Sequence, residues 1–138
     1  MKIIIIILSV ICFTVAFAQT KKAIRVTQTD SYKRGKEVYA KVCLSCHQID
    51  GGGVPRLNPP LIKTDYVLGN KQKLISIVLK GMNDRIPIDD EYYSNNMASH
   101  KNLSDQQIAD VLTFVRNSFG NKASIVTIAE VKGVRGMK

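Results

Sequence analysis

An all-α fold is expected for this chain of 138 residues, on three observations. Apolar side chains recur at helical spacing in several separate segments, two of which open on capping boxes. No long stretch alternates apolar with polar residues as a half-buried strand does. About four to five short helices are expected, joined by loops long enough to carry function. Composition agrees with one folded domain: 45% apolar and 22% charged residues exclude a disordered tail, and 9 Gly with 4 Pro exclude a collagenous chain. The formal charge of +9 points to an anionic partner without saying which kind.

Taken in order, residues 1–18, MKIIIIILSVICFTVAFA, have the three parts of a secretory signal: a Lys, an apolar run from Ile3 to Phe17, and the small-x-small end Ala16-Phe17-Ala18. The run is shorter than the roughly 20 residues of a spanning helix. An uncleaved anchor is the alternative, and bulky Ile11 before Cys12 argues against lipoprotein processing. Removal of the leader takes Lys2 with it, lowering the charge from +9 to +8, and leaves Cys43 and Cys46 as the cysteines. Few large aromatics then remain for a core, so something else is expected to fill the centre.

Residues 19–30 read as a polar lead-in, and 31–138 as the folded domain. Tyr32, Gly35, Tyr39 and Val42 predict a first helix from Ser31 to about Val42. The Gly and Pro clusters between Asp50 and Pro60 predict a loop over 48–62. Leu74, Ile75, Val78 and Leu79 predict a second helix stopped by Gly81. Residues 82–102 are expected to be irregular. Ser104 with Gln107 opens a helix with the stripe Ile108, Val111, Leu112 and Val115, ended by Gly120. Thr127 with Glu130 opens a short terminal helix carrying Val131 and Val134.

The decisive string is Cys43-Leu44-Ser45-Cys46-His47. In an exported chain, Cys-x-x-Cys-His reads as a c-type haem attachment. Two thiols add to the two haem vinyl groups, and the adjacent imidazole is held beneath the iron. A thioredoxin-like pair belongs at a helix N-terminus after a strand, whereas this one follows a helix. A zinc site needs a second ligand pair, and a disulfide leaves His47 unexplained.

With these residues in hand, the sequence resembles the class I cytochrome c family from about Tyr32 to Arg135. Gly35, Tyr39, Cys43, Cys46 and His47 stand as in that family's first helix and attachment motif, Pro59-Pro60-Leu61 as its proline loop, and Val111 to Arg116 as its last helix. The run from Gly81 to Gly120 is most similar to single-haem bacterial cytochromes that accompany quinoprotein and alcohol dehydrogenases or terminal oxidases. The resemblance implies helices wrapped around one covalently bound haem c, with Gly35 letting the first helix cross the last near Tyr39, Val111 and Phe114. A glycine in a helical stripe already suggests such an approach.

Four residues compete for the sixth iron position: Met82, Met97, Met137 and His100. Met97 lies in a polar loop where core filling explains it poorly, about fifty residues beyond His47. His100 is its rival and implies bis-imidazole ligation. The family position favours Met97, so His47 and Met97 are the expected metal ligands. Ala98 departs from the proline that commonly follows the family's methionine, which leaves loop rigidity and replacement by His100 or Lys101 open. Pro59, or Pro60, is implied as acceptor of the second His47 N–H, with Leu61, Leu68 and Val78 as apolar haem walls and Arg56 as a propionate partner.

The function this implies is one-electron transfer between periplasmic or membrane redox partners, not catalysis. Lys33, Lys36, Lys41, Lys63, Lys71, Lys73 and Lys80 are expected to steer the protein, as a monomer, to acidic surfaces of a dehydrogenase, cytochrome complex or terminal oxidase. Nucleic acid is disfavoured by export and by the lack of a recognition motif. The alternatives are a five-coordinate haem protein that acts on peroxide or senses a small gas, and a haem subunit docked on a periplasmic dehydrogenase.

Overall fold

The computed structural model describes residues 28–137. The leader at 1–18 and residues 19–27 of the lead-in lie outside that range. The chain divides at Asp30, and Ser31–Lys138 is the compact unit that carries everything below. Helix α1 covers residues 28–42, already helical three residues before Ser31. It is followed by the single turn α2 (Leu44–His47), then α3 (Asp65–Leu68), α4 (Lys71–Lys80), a hairpin of β1 (Ile86–Ile88) and β2 (Glu91–Tyr93), α5 (Asp105–Val115) and α6 (Ile128–Gly136). None of the described helices is long and apolar enough to cross a membrane.

Two crossings hold the unit together. At the first, α1 meets α5 with Gly35 against the backbone of Asp110. A Cβ there would lie 2.6 Å from the Asp110 carbonyl carbon and 2.8 Å from Phe114 Cβ, so no larger residue fits. The buried Asp110 carboxylate ties the same crossing by accepting from Ser31 Oγ at 2.6 Å, Arg34 Nε at 2.7 Å and Gln106 Nε2 at 2.9 Å. Tyr32, Tyr39, Phe114 and Phe119 pack beside it as tilted and edge-on rings 5.0–5.7 Å apart. Tyr39 donates its hydroxyl to the Gln48 carbonyl at 2.6 Å.

At the second crossing, α6 packs on α4 and α5. Leu74, Ile75, Val78 and Leu79 are buried, as their spacing predicts. Both capping boxes are present, Ser104 with Gln107 and Thr127 with Glu130. Ile75, Ile108, Val67 and Val131 are almost fully enclosed, and each contributes about 1.5–3 kcal/mol relative to exposure. Residues Ile108 to Val115 are buried on every side, not on one stripe, because α1, α4 and α6 all lean on α5.

Helix α5 stops at Val115 rather than running to Gly120. Beyond it, two buried polar side chains replace helical bonds. Arg116 donates to the Val67 and Ser124 carbonyls. Asn121 donates to the Leu61 and Val115 carbonyls, both at 2.8 Å, and accepts from Lys63 N–H at 2.8 Å. Together they bind the 61–67 segment to the end of α5.

The hairpin departs from the irregular stretch expected over 82–102. Ile86 pairs with Tyr93 and Ile88 with Glu91 around Asp89-Asp90, both with positive φ, 50° and 64°. That is the dihedral signature of a two-residue type I′ turn.

Candidate haem site

Between α4, α5, the 59–61 segment and the hairpin lies a cleft of about 760 Å³ counting its open mouth. Its interior is apolar, walled by Val42, Leu61, Val67, Leu74, Val78, Ile86, Ile88, Leu103, Val111, Leu112 and Val115 among others. An adjoining, more polar part is lined by Cys46, Asn58, Asp84, Tyr93, Asn95 and Asn96, and both parts share Cys43, His47, Pro59, Met82, Met97 and His100.

One turn of helix presents the attachment motif. His47 N–H bonds to the Cys43 carbonyl at 2.9 Å, so Cys43, Cys46 and His47 belong to one turn. No disulfide joins the two cysteines, of which Cys43 is half-buried and Cys46 exposed. Burial, with Cys46 adding to it, pushes the Cys43 thiol up to about 11, so it stays protonated at neutral pH.

His47 is oriented by its second nitrogen. Nδ1–H donates to the Pro59 carbonyl at 3.0 Å, and since a carbonyl can only accept, Nε2 is left with a lone pair. Burial lowers the proton affinity of His47; the Pro59 bond pulls the other way and the nearby His100 adds to the lowering. The net effect keeps the imidazole neutral. Pro59 is placed by the loop before it. Val54 and Asn58 form a two-residue bridge, and Leu61 N–H reaches the Gly51 carbonyl at 2.7 Å. Gly53 stands at φ 69°, where a Cβ would lie 2.7 Å from the Pro59 oxygen.

Met97 reaches the cleft by a different route. It exchanges both backbone hydrogen bonds with Met82, at 2.8 and 3.0 Å. Residues opposite one another in an antiparallel pair point to the same face, and both methionines line the cleft. Ser99 Oγ donates to the Leu79 carbonyl at 2.6 Å, and His100 N–H to the Val78 carbonyl at 2.9 Å. On the other flank, Asn95 N–H bonds to the Leu57 carbonyl and Asn95 Nδ2 to Asn58 Oδ1. The segment is pinned without a proline after Met97.

An apolar cleft, two cysteines that no disulfide joins, an imidazole with its lone pair fixed and a thioether on the same cavity wall together make a donor set that fits a covalently held iron porphyrin. The family model for cytochrome c matches residues 32–119. The chain belongs to the cytochrome c family. Membership carries haem c, bound covalently at the Cys43-x-x-Cys46-His47 motif. This cytochrome is 32% identical over 113 residues to cytochrome c-552 of Thermus thermophilus, covering 75% of this chain and 86% of that protein. It is 39% identical over 106 residues to the cytochrome c subunit of a quinone alcohol dehydrogenase from Gluconacetobacter polyoxogenes. It is also 33% identical over 111 residues to the cytochrome c subunit of gluconate 2-dehydrogenase from Pantoea cypripedii. It spans 22% and 25% of the length of these two subunits.

The structure of this cytochrome departs from the sequence reading in the outer parts of the site. Val67, not Leu68, faces the cleft, because α3 is a single turn whose exposed and buried positions periodicity cannot phase. Arg56 pairs with Glu91 at 3.5 Å and lines neither part of the cleft. The seven lysines named above stand outside its lining, where side chains that steer a partner toward the mouth need not enter it. Met137 is exposed on the far end of α6. The hairpin isoleucines Ile86 and Ile88, and Leu103, are walls that sequence reasoning missed.

Proposed function

We propose that this cytochrome is a one-electron carrier whose iron is held by Nε2 of His47 and the sulfur of Met97, exported by its leader at 1–18 to work between redox proteins outside the cytoplasm. The observation that carries the reading is the shared cleft: an imidazole oriented by Pro59 and the side chain of Met97, whose backbone pairs with Met82, line one apolar cavity, with Cys43 in its wall and Cys46 in its more polar mouth. When bound, the haem supplies an iron that takes up and releases one electron. The chain does the rest. The Pro59 carbonyl raises the basicity of the His47 ligand, the apolar walls keep water out and favour the reduced state, and backbone bonds on both sides of Met97 keep reorganisation small. Pro59 and Leu61 act as cleft-lining supports of His47 and of the cofactor.

The charge of +8 left after removal of the leader supports steering to acidic surfaces on a partner, with the lysines acting from outside the mouth. The names of the dehydrogenase subunits favour a second form of the same reading, a haem module docked on a dehydrogenase. Mass and absorption spectrum of protein matured in a host with haem-attachment machinery test the reading. The expected result is a chain cut after Ala18, heavier by one haem, with a low-spin spectrum carrying the weak long-wavelength band of thioether ligation. A colourless protein with both thiols titratable contradicts it.

A further inference from the structure

One wall of the cleft is charged against the rest of the chain. Among the described residues that line either part, a single one is an aspartate, glutamate, lysine or arginine: Asp84, in the polar mouth. It leads into the hairpin. Residues 84–93 hold four carboxylates, Asp84, Asp89, Asp90 and Glu91, against the one guanidinium of Arg85, a net charge of −3 where the whole chain carries +9. All five side chains are exposed, and Asp84, Asp89 and Asp90 make no ion pair among the described residues. The hairpin has two faces. Ile86 and Ile88 are buried in the cleft wall, whereas the cross-strand pair Pro87 and Tyr92 turns outward. Tyr92 stays 52% exposed although the Arg85 guanidinium lies 5.1 Å from its ring centre. Across the mouth the hairpin is tied to the 54–58 loop: Glu91 pairs with Arg56, Ser94 N–H and Oγ both donate to the Arg56 carbonyl, and Asn95 N–H donates to the Leu57 carbonyl. Leu57, 51% exposed, therefore stands on the same rim. An exposed tyrosine and leucine set among polar and charged side chains have the composition of a protein contact patch.

We propose that the outer face of this hairpin, together with Leu57, is the surface on which a redox partner docks, and that the partner carries lysine or arginine side chains where the hairpin lands. The inference rests on the reading of the chain as an electron carrier, and it adds the local chemistry of the partner. Lysines and hairpin have separate tasks. The positive net charge acts at long range and draws the chain to a partner that is acidic as a whole. At contact, like charges repel, so a uniformly acidic patch rejects the hairpin and a patch with basic residues accepts it. Arg56 is already held by Glu91, which leaves Asp84, Asp89 and Asp90 for the partner. The hairpin thus selects which face of the carrier turns inward, and it brings the open side of the cleft to the partner.

The test uses reduced, haem-loaded protein and two peptides, penta-lysine and penta-glutamate, with binding mapped by backbone amide shifts. Penta-lysine is expected to move the amides of residues 84–93 and 56–58, and penta-glutamate those of the lysine-bearing helices α1 and α4. The variant Asp89→Asn/Asp90→Asn keeps the side-chain size, and asparagine tolerates the positive φ of both positions, 50° and 64°. It is expected to bind penta-lysine at least about fourfold more weakly, about twofold for each unit charge removed at ~10 Å in water. Lys33→Gln/Lys36→Gln, away from the hairpin, is expected to leave penta-lysine binding unweakened. Two small oxidants tie the surface to electron transfer: tris(phenanthroline)cobalt(III), a cation, and ferricyanide, an anion. The ratio of their rates, cation over anion, is expected to fall at least about fourfold in the hairpin variant at low salt. Penta-lysine shifts that gather elsewhere, penta-glutamate shifts on the hairpin, or a rate ratio that the hairpin variant leaves unchanged each overturn the proposal. A reduced wild type that neither oxidant takes an electron from overturns the carrier reading instead.

Discussion

His47 and Met97 face the same cleft but are held there by different means. The histidine side is local: motif, turn and acceptor lie within Cys43–Pro59, and the ring itself is hydrogen-bonded. The methionine side is assembled from afar: Met97 is placed by its backbone, through Met82, Leu79, Val78 and, across the mouth, Leu57 and Asn58. A local side-chain lock survives small movements of the fold, whereas a backbone strap loosens with any of its anchors. The methionine side is therefore the one expected to open first.

Four substitutions break or sharpen that contrast. The largest effect is expected on the histidine side from Gly53→Val, which drives a Cβ into the Asn58 and Pro59 carbonyls at a positive φ. A loss of about 3 kcal/mol in denaturant unfolding is expected, with both axial signals lost together. On the methionine side, Ser99→Ala removes one anchor of the strap and leaves the Leu79 carbonyl without this partner. The expected loss is about 1 kcal/mol, and the thioether band should disappear at lower urea than the global transition. A single coincident transition in this variant contradicts the strap picture.

Asp90→Gly acts in the opposite direction. Gly relieves a side chain standing at φ 64° in the type I′ turn, so thermal unfolding should show a gain of about 0.5 kcal/mol. The smallest effect is a control outside both regions. Burial pulls the Glu130 carboxyl up, but hydrogen bonds from Lys71 and Thr127 outweigh it and hold it below its ordinary value. A depressed carboxylate contributes stability that is present above its unfolded pKa and is lost as pH falls through the folded value. Glu130→Gln should flatten the acid limb of the stability profile and leave both axial signals unchanged.

The same contrast governs what the sequence made legible. The histidine side could be read because its chemistry is contiguous: Cys43, Cys46 and His47 are one turn, while the resemblance alone implied Pro59 or Pro60 as the partner of His47, and the bond falls on Pro59. The helices with capping boxes could be read for the same reason, since Ser104 and Gln107, or Thr127 and Glu130, are partners three residues apart. The hairpin could not, because Pro87 argues against a strand and Asp89-Asp90 occupies a turn usually marked by Asn-Gly or Asp-Gly. Arg116 and Asn121 were equally hidden: their partners are carbonyls of Val67 and Leu61, some fifty or sixty residues distant, and a carbonyl leaves no mark on composition. Met82 could be named as a candidate, but only the pairing with Met97 shows that the two thioethers share a wall.

A crystal structure of the haem-loaded protein as isolated tests the central claim most directly. The account predicts Nε2 of His47 on one face of the iron and Sδ of Met97 on the other, with Nδ1 of His47 still bonded to the Pro59 oxygen. Any other side chain bound opposite His47 in that resting state, Met82 or His100 included, contradicts it.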